Sequence, residues 1–440
     1  MAIIRRCLYL AIALGSLAPC AVAEEMSFIQ NQQIRLGIDL QKGGAITWLS
    51  PINGENIINS FDLGRQIQMS FYSGPVPYEE AGQRPADHWG HLGWNPIQTG
   101  DDFAHGSRII EHTNDGSTLH LRCQPMQWPL NNIPAECEFE AWLTLDESAV
   151  CGRFRLINRR TDKTQYPARQ QELPAVYVNA PFYRLITYTG DQPFLDSKTE
   201  QLDTQPKSHH PWISWQATEG WAALVNESGW GLGVWSPTSQ HFTGGFAGKP
   251  GPNDPKSIAT GYIAPLSTET LDYNIEYEYH ARFILGTTEE IREYVARQPR
   301  PKTPLKWDFH HDRQHWHLEN AIDSGWPMNG EWRIHWNHAD PQFISPFCLW
   351  DSKATPELEI NAAFSTTQDV AHLLLHPHGA ADFDGAHPIA FKVQTDGEYH
   401  VYRVPLPASG SFIRLRLDPP GGADQTGSAR IRSIRITTPR

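Results

Sequence analysis

Short runs of alternating apolar and polar residues, separated by Gly, Pro, Asn and Asp, continue along most of this chain and restrict its possible folds. IRLGIDLQKGGAITWLSP holds two such runs on either side of Gln41–Gly44, and SRIIEHTNDGSTLHLRC holds two on either side of Asn114–Gly116. A period of two predicts strands with one buried face, and a polar, glycine-containing break predicts a hairpin. Because no long helical period separates these strands, the pattern predicts a large antiparallel sandwich rather than an α/β sheet.

A short helix and a proline-rich segment interrupt the strands. Thr287–Gln298, TTEEIREYVARQ, has acids in its first turn and Arg297 near its end, as the helix dipole favours. Three prolines with basic spacers follow, which predicts a stiff linker between domains. Alternating runs then resume, from ELEINAAFS to ARIRSIRIT, and predict a second all-β domain of the jelly-roll or sandwich type. We therefore expect domains at 24–298 and 307–440, joined by a linker at 299–306.

The first 23 residues have the pattern of an export signal. Arg5 and Arg6 form a basic region, Cys7–Leu17 is mostly apolar, and Ala21–Ala23 matches a small-residue cleavage site. The apolar run is too short to span a bilayer, so no transmembrane segment is predicted. We expect cleavage near Ala23 and a periplasmic or secreted protein.

Charge and aromatic content indicate the kind of ligand. The chain has 36 basic and 49 acidic residues, a net charge of -13, so neither nucleic acid nor an anionic membrane surface is an expected partner. It also has 16 tryptophans. A pyranose offers an apolar C–H face to an indole ring and a rim of hydroxyls to amides and carboxylates, so this composition indicates a poly- or oligosaccharide. The other interpretation is that most of these tryptophans fill β cores. The sequence leaves the oligomeric state open.

The segment Asp62–His105 differs from the strands around it, because planar amides, aromatic rings and titratable groups replace the aliphatic alternation. Long irregular connections of this kind are usually functional or disordered, and the aromatic content argues against disorder. We interpret the segment as one wall of a carbohydrate site. Its candidate site residues are Arg65, Gln68, Tyr72, His88, Trp94, Asn95, Gln98, Asp101 and His105.

A second polar segment lies in YPARQQELPAVYV, where Arg169 and Glu172 stand between two prolines. Its charges are expected at a cleft or rim, with a solvated loop as the other interpretation. Farther along, the glycine-rich HFTGGFAGKPGPNDPKS contributes His241 and Lys249 as substrate-binding candidates. That stretch lacks the spacing of a phosphate-binding loop.

Cysteines and histidines give no metal-binding pattern. Cys123 and Cys137 bracket a loop that a disulfide could close in an oxidising compartment, whereas Cys151 and Cys348 are expected to be free. The histidines of HHDRQHWH and HPHG do not have the register of a known zinc motif. We predict neither a metal nor a cofactor.

Two resemblances to known families follow from particular stretches. Tyr262–Gly286, with the helix sequence TTEEIREYV after it, resembles the galactose-mutarotase-like β-supersandwich of carbohydrate-active enzymes. FKVQTDGEYHVYRVPL and IRLRLDPP resemble the jelly-roll accessory modules of secreted glycan-degrading enzymes. The first resemblance implies a concave, sugar-handling sheet in a fold that hosts epimerases, glycoside hydrolases, polysaccharide lyases and binding domains, so it does not select the chemistry. No segment matches the mutarotase histidine motif, so no catalytic residue is carried over.

The second resemblance implies a carbohydrate-binding-like module at the carboxyl end. Its tryptophans could form a sugar platform or could pack against the first domain. They are Trp316, Trp326, Trp332, Trp336 and Trp350.

Two cleavage reactions fit the candidate residues. Hydrolysis needs two carboxyl groups across the glycosidic oxygen, while elimination at a uronic acid needs a Tyr or His base, an acid, and a group that neutralises the carboxylate. We predict a glycoside hydrolase ahead of a polysaccharide lyase, and a non-catalytic glycan binder or an epimerase-like protein remains an alternative. Glu172 with Asp101 or His105 is the expected proton-transfer pair, and Trp94 is expected to stack on a sugar. Hydroxyls or a carboxylate are expected to be positioned by Arg65, Gln68, Asn95 and Gln98.

Overall fold

The computed structural model describes residues 25–195, 198–204, 211–299, 305–421 and 426–438. The predicted export signal and most of the predicted linker lie outside these residues. The first part of the chain forms β1 (Met26–Gln30), β2 (Ile34–Asp39), β3 (Ala45–Pro51), β4 (Ile67–Ser70), β5 (Pro96–Ile97), β6 (Arg108–Asn114), β7 (Thr118–Gln124), β8 (Met126–Gln127), β9 (Cys137–Asp146), β10 (Ala149–Asn158), β11 (Arg169–Val178), β12 (Arg184–Thr187), β13 (Glu200–Gln201), β14 (Trp212–Gln216), β15 (Trp221–Val225), β16 (Trp230–Trp235), β17 (His241–Ala247), β18 (Thr260–Glu269) and β19 (Glu276–Thr287). A 3₁₀ turn at Asp87–Trp89 precedes β5, and helix α1 (Thr288–Ala296) follows β19.

The second part forms a further set of strands: β20 (Lys306–Asp308), β21 (His317–Glu319), β22 (Ile322–Asp323), β23 (Trp332–Trp336), β24 (Gln342–Ile344), β25 (Trp350–Asp351), β26 (Glu357–Ser365), β27 (Val370–Pro377), β28 (Ile389–Lys392), β29 (His400–Pro405), β30 (Ser411–Asp418) and β31 (Gly427–Thr437). The described chain is thus nearly all β, and the predicted fold class is confirmed.

Strands β1–β19 form two antiparallel sheets, here called the N-terminal sandwich. Among the described residues one sheet has ten strands in the order β1-β2-β3-β4-β11-β18-β17-β14, with β5 paired to β4 and β8 paired to β5. The other has nine, in the order β13-β12-β15-β16-β19-β10-β9-β7-β6. Side chains of both sheets meet in one core, which includes Leu36, Val176, Phe154 and Phe283. The predicted hairpins at Gln41–Gly44 and Asn114–Gly116 are the β2–β3 and β6–β7 connections.

Strands β20–β31 form the C-terminal sandwich, which has two sheets of six described strands each and its own core. Four of the five tryptophans considered as a sugar platform are buried in that core, at Trp316, Trp332, Trp336 and Trp350. The fifth, Trp326, packs instead against the core of the N-terminal sandwich. The interpretation of these rings as packing residues is therefore the one that the structure supports.

Helix α1 lies where the acids of TTEEIREYV predict it. Thr287 caps its start in a reciprocal pair with Glu290: the Thr287 hydroxyl accepts from the Glu290 backbone N–H, and the Glu290 carboxylate accepts from the Thr287 backbone N–H.

Cys123 and Cys137, considered as a disulfide, are both free and buried. No helix in the described ranges is long and apolar enough to cross a membrane.

Polar contacts join the two sandwiches along the segment that precedes β22. Arg313 lies between Asp272 of the N-terminal sandwich, at 2.8 Å, and Asp323, at 2.5 Å. Nδ1 of His315 lies 2.7 Å from Oε1 of Glu269. Burial is the largest single influence on both groups and by itself lowers the pKa of His315 and raises that of Glu269. The partner's charge and the hydrogen bonds together outweigh burial, so the His315 pKa is raised and the Glu269 pKa is lowered. Most of these ionic groups are buried, and they connect the sandwiches through charge as well as through packing.

Candidate active site on the ten-stranded sheet

Glu172 lies in the middle of the ten-stranded sheet, on β11. It is paired with Ser70 of β4 on one side and with Leu266 of β18 on the other. The register shifts between Glu172 and Val176, so Val176 faces the core while Glu172 and Tyr177 face away from it. Because paired residues in neighbouring strands share a face, this outer face is a continuous surface that can be followed across the strands.

Two tyrosine hydroxyls hold the Glu172 carboxylate. Tyr72 donates to Oε2 at 3.0 Å, and Tyr262 donates to Oε1. Burial raises the pKa of Glu172 above its ordinary value, and hydrogen bonds from Tyr262, Tyr72 and Ser70 oppose that rise without cancelling it. A carboxyl of this kind keeps its proton to higher pH than an exposed glutamate and is suited to proton transfer.

Aromatic rings form a row beside Glu172 on the same face. The ring of Tyr262 lies 4.7 Å from that of Tyr177 and 4.9 Å from that of Trp212, measured between centroids. Gly245 stands opposite Tyr262 in the register, and without a side chain it lets the Trp212 ring reach Tyr262. Tyr177 and Trp212 are partly exposed, so the row offers ring surface to a ligand next to a titratable carboxyl.

His241 shares a row of the sheet with Glu172. Leu266 pairs with Glu172 on one side and with His241 of β17 on the other, which puts the two titratable residues about 10 Å apart at the backbone. Burial, together with the charges of Arg414 and His376, lowers the pKa of His241 to about 4. The imidazole is therefore neutral at physiological pH. Of the predicted site residues, Tyr72, Glu172 and His241 share this face.

Arg169 supports the site from its edge. Its guanidinium lies 5.9 Å from the centroid of the Tyr72 ring. It donates to the carbonyl oxygens of Leu92 at 2.5 Å and His91 at 3.1 Å. Its donors thus hold the loop beside Tyr72. His88 lies in the 3₁₀ turn of the same loop region and is exposed, with its ring 4.8 Å from that of Trp89.

The amides predicted to position a substrate are buried and bind backbone. Gln68 donates to the carbonyls of Leu63 and Arg65, Asn95 donates to that of Phe71, and Gln98 donates to that of Gly43. The Gln98 amide oxygen also accepts from the Met69 backbone N–H. These side chains complete the hydrogen bonding of an irregular part of the sheet, as buried polar groups must.

Three more candidates make no described contact with Glu172. The Trp94 ring is fully buried in the N-terminal core, so its position does not support stacking on a sugar. Arg65 donates to the carbonyls of Ser257 and Ile258, while Lys249 is exposed. The alternating pattern could not indicate the positions of Arg65 and Trp94, because Asp62–His105 has no regular period from which to infer the direction of each side chain.

Asp101 and His105 are joined to each other, at 2.9 Å between Oδ2 and Nδ1. The Asp101 carboxylate also accepts from the backbone N–H groups of Phe103, His105 and Asn132. None of the described contacts joins either residue to Glu172. Their predicted role as its proton-transfer partner stays a prediction, and the structure offers them a second role in holding the 101–105 turn.

Sequence reasoning missed Tyr262, Tyr177, Trp212 and Ser70. Each lies in an ordinary strand, and only the pairing of strands distant in sequence brings them to Glu172. The alternation of Tyr262, Ala264 and Leu266 on one face of β18 was the available signal, but it did not indicate which face of the strand is turned away from the core.

Among the described residues, no group of three or more His, Cys, Asp or Glu side chains could hold a metal ion.

No protein-family model and no curated protein matches the chain. Similar solved structures include a galactose mutarotase related enzyme from Lactobacillus acidophilus, with 11% identity over 60% of this chain and 98% of that chain and a TM-score of 0.38. A galactose mutarotase-like protein from Lactobacillus casei has 11% identity over 59% of this chain and 100% of that chain, with a TM-score of 0.36. An α-galactosidase from Geobacillus stearothermophilus has 10% identity over 60% of this chain and 40% of that chain, with a TM-score of 0.34. The chemistry is therefore argued from the site itself.

Proposed function

We propose that this chain is a carbohydrate-active enzyme that binds a poly- or oligosaccharide on the outer face of the ten-stranded sheet and cleaves it with Glu172 as the proton-transfer group. The observation that carries the proposal is a carboxyl with a raised pKa, held by two tyrosines and placed beside a row of partly exposed rings. A binding protein needs rings and hydroxyl-matching groups, but it has no need of a carboxyl tuned in this way.

Glycoside hydrolysis is the first candidate reaction, with Glu172 as the general acid. It also needs a second carboxyl about 5 to 9.5 Å away. Elimination is the second candidate, and His241 favours it. The neutral His241 imidazole, in the same row as Glu172, can accept a proton. The hydroxyls of Tyr72 and Tyr262 already contact the Glu172 carboxyl. The two reactions leave different products, so they can be separated directly.

The experiment compares wild type with Glu172→Gln on neutral and uronic-acid polysaccharides. New reducing ends alone indicate hydrolysis, and added ultraviolet absorbance indicates an unsaturated product of elimination. Loss of a general acid or base should lower turnover by about 10²-fold or more and leave glycan binding largely intact. Binding with neither product would refute the enzyme.

A matched control is Glu276→Gln, which removes an exposed carboxyl from β19 in the other sheet and should leave turnover unchanged.

The melting temperature of Glu172→Gln shows whether Glu172 serves the reaction or the stability of the fold. With a folded-state pKa that is raised, the group stabilises the fold below the pKa of the unfolded chain, and this contribution is lost as pH rises through the folded pKa. At pH 7, Glu172→Gln should therefore leave the melting temperature unchanged or raise it.

A further inference from the structure

The C-terminal sandwich covers one end of the outer face that carries Glu172. The ring of Phe347 lies 4.4 Å from that of His241, and the backbone N–H of Leu349 donates to Oε1 of Gln240 at 2.7 Å. A narrow cavity remains between the two sandwiches. His241 and Leu266 line it from the sheet, and Phe347 and Arg414 line it from the other side. The site of Glu172 and this cavity are neighbours, because Leu266 pairs with Glu172.

Arg414 brings a positive charge to this cavity, and no carboxylate in the described part of the chain forms an ion pair with it. It lies on β30, where Nε donates to the carbonyl of Ser345 at 3.1 Å and the guanidinium lies 4.4 Å above the Phe347 ring. Burial lowers the pKa of Arg414 to about 10, even though the charges of Glu319 and Asp382 act against that shift. Neither acid forms an ion pair with it. A desolvated guanidinium whose terminal N–H groups have no hydrogen-bond partner among the described residues can donate strongly to an anion.

The other polar groups of the cavity fit the same ligand. His317 is buried, and its Nδ1 has no hydrogen-bond partner among the described residues. Burial and the Arg414 charge lower the pKa of His317 to about 3, so its ring is neutral. His315 also lines the cavity, and its charge is matched by Glu269. The unmatched charge of the cavity is therefore that of Arg414, and an anion there would also give the His317 nitrogen a partner.

We propose that Arg414 and His317 form a subsite for the carboxylate of an acidic saccharide, so that the C-terminal sandwich selects a uronic-acid substrate for the site of Glu172. This inference rests on the proposed function and names its substrate class. The cavity is too narrow for a whole sugar ring, but one carboxylate group would project into it from a ring bound beside Glu172. The C-terminal sandwich then takes part in substrate recognition even though its tryptophans are buried.

The test measures binding by calorimetry in the Glu172→Gln background, in which turnover is expected to be slow. The probes are trisaccharides of galacturonic, glucuronic and mannuronic acid, a neutral trisaccharide of the same length, and acetate as a free carboxylate. Arg414→Gln should weaken binding of the best uronic trisaccharide by about 10-fold or more and leave the neutral one unchanged. The control Arg416→Gln removes a guanidinium from the same strand that already pairs with Asp418 and Asp340, and it should change neither.

Three results would overturn the subsite: equal weakening for acidic and neutral trisaccharides, no weakening at all, or no binding of any uronic trisaccharide. If acetate binds as tightly as the uronic trisaccharide, the site recognises a free carboxylate and the saccharide is not its ligand. Melting curves of each variant confirm that the fold is retained. The subsite is judged by binding to Arg414→Gln, whereas the proposed function is judged by the turnover of Glu172→Gln with Arg414 intact. Failure of one is therefore distinct from failure of the other.

Discussion

At the scale of single residues, the environment of Glu172 carries the functional argument. Its carboxyl lies among phenol hydroxyls and apolar side chains, so its pKa is set by a balance between burial, which raises it, and hydrogen bonds, which lower it. The three tyrosines near it respond to the same charge: burial first and the Glu172 charge next raise the pKa of Tyr72, Tyr177 and Tyr262. These phenols are therefore donors, and they stay protonated at physiological pH.

Tyr262→Phe tests this balance. Removing a donor that favours the charged carboxylate should raise the pKa of Glu172 further, so the limb of the pH–rate profile that reports Glu172 should move to higher pH. The measurement is kcat/KM against pH, which reports groups of the free enzyme. Tyr183→Phe is the control, because its hydroxyl contacts Glu227 at a different place. If the limb stays in place or moves to lower pH, the pH dependence of the reaction does not report the titration of Glu172.

At the scale of elements, residues 309–323 contribute polar contacts between the sandwiches. Their histidine-rich sequence lacks the register of a zinc motif, and in the structure Arg313 and His315 bind carboxylates of the N-terminal sandwich. Asp323 accepts from Arg313 and also from Gln165 and Trp332, at 2.7 Å each for the last two. The carboxylate is buried, but its pKa is lowered because the Arg313 charge and these bonds outweigh burial.

Arg313→Leu should therefore destabilise the protein strongly. It leaves Asp323 and Asp272 buried without their shared cation, which typically costs about 3–5 kcal/mol. Chemical denaturation of the full chain measures the loss. Arg333→Leu is the control, since that arginine is 63% exposed in its ion pair with Glu331, and a change within about 0.5 kcal/mol is expected. Equal stability of the two variants would show that the buried cluster does not hold the sandwiches together.

At the scale of the whole molecule, the two cores are separate but the interface between them is ionic, aromatic and partly buried. Independent domains at 24–298 and 307–440 stay a prediction. If the linker is cut at a protease site inserted within 300–304, we expect both fragments to stay together in size-exclusion chromatography at moderate salt, because Arg313 and His315 keep their carboxylate partners. Adding Arg313→Leu should release them. Fragments that separate without that substitution would show a weak interface.

Local patterns predicted the class of fold, its hairpins and the position of helix α1, because alternation, turn residues and capping groups act between residues close together in the chain. The sequence also singled out Glu172 and Tyr72 by their unusual polarity. That these two residues meet Tyr262, that Trp94 is buried and that Arg414 acts on His241 became visible only in the fold. The contacts of Glu172 with Tyr72 and Tyr262 join residues 100 and 90 positions apart, and the register shift after Glu172 reverses which side chains face the core. Long-range pairing and a single shift in register are not encoded in any local pattern, so the site could be suspected from its residues but assembled only by the fold.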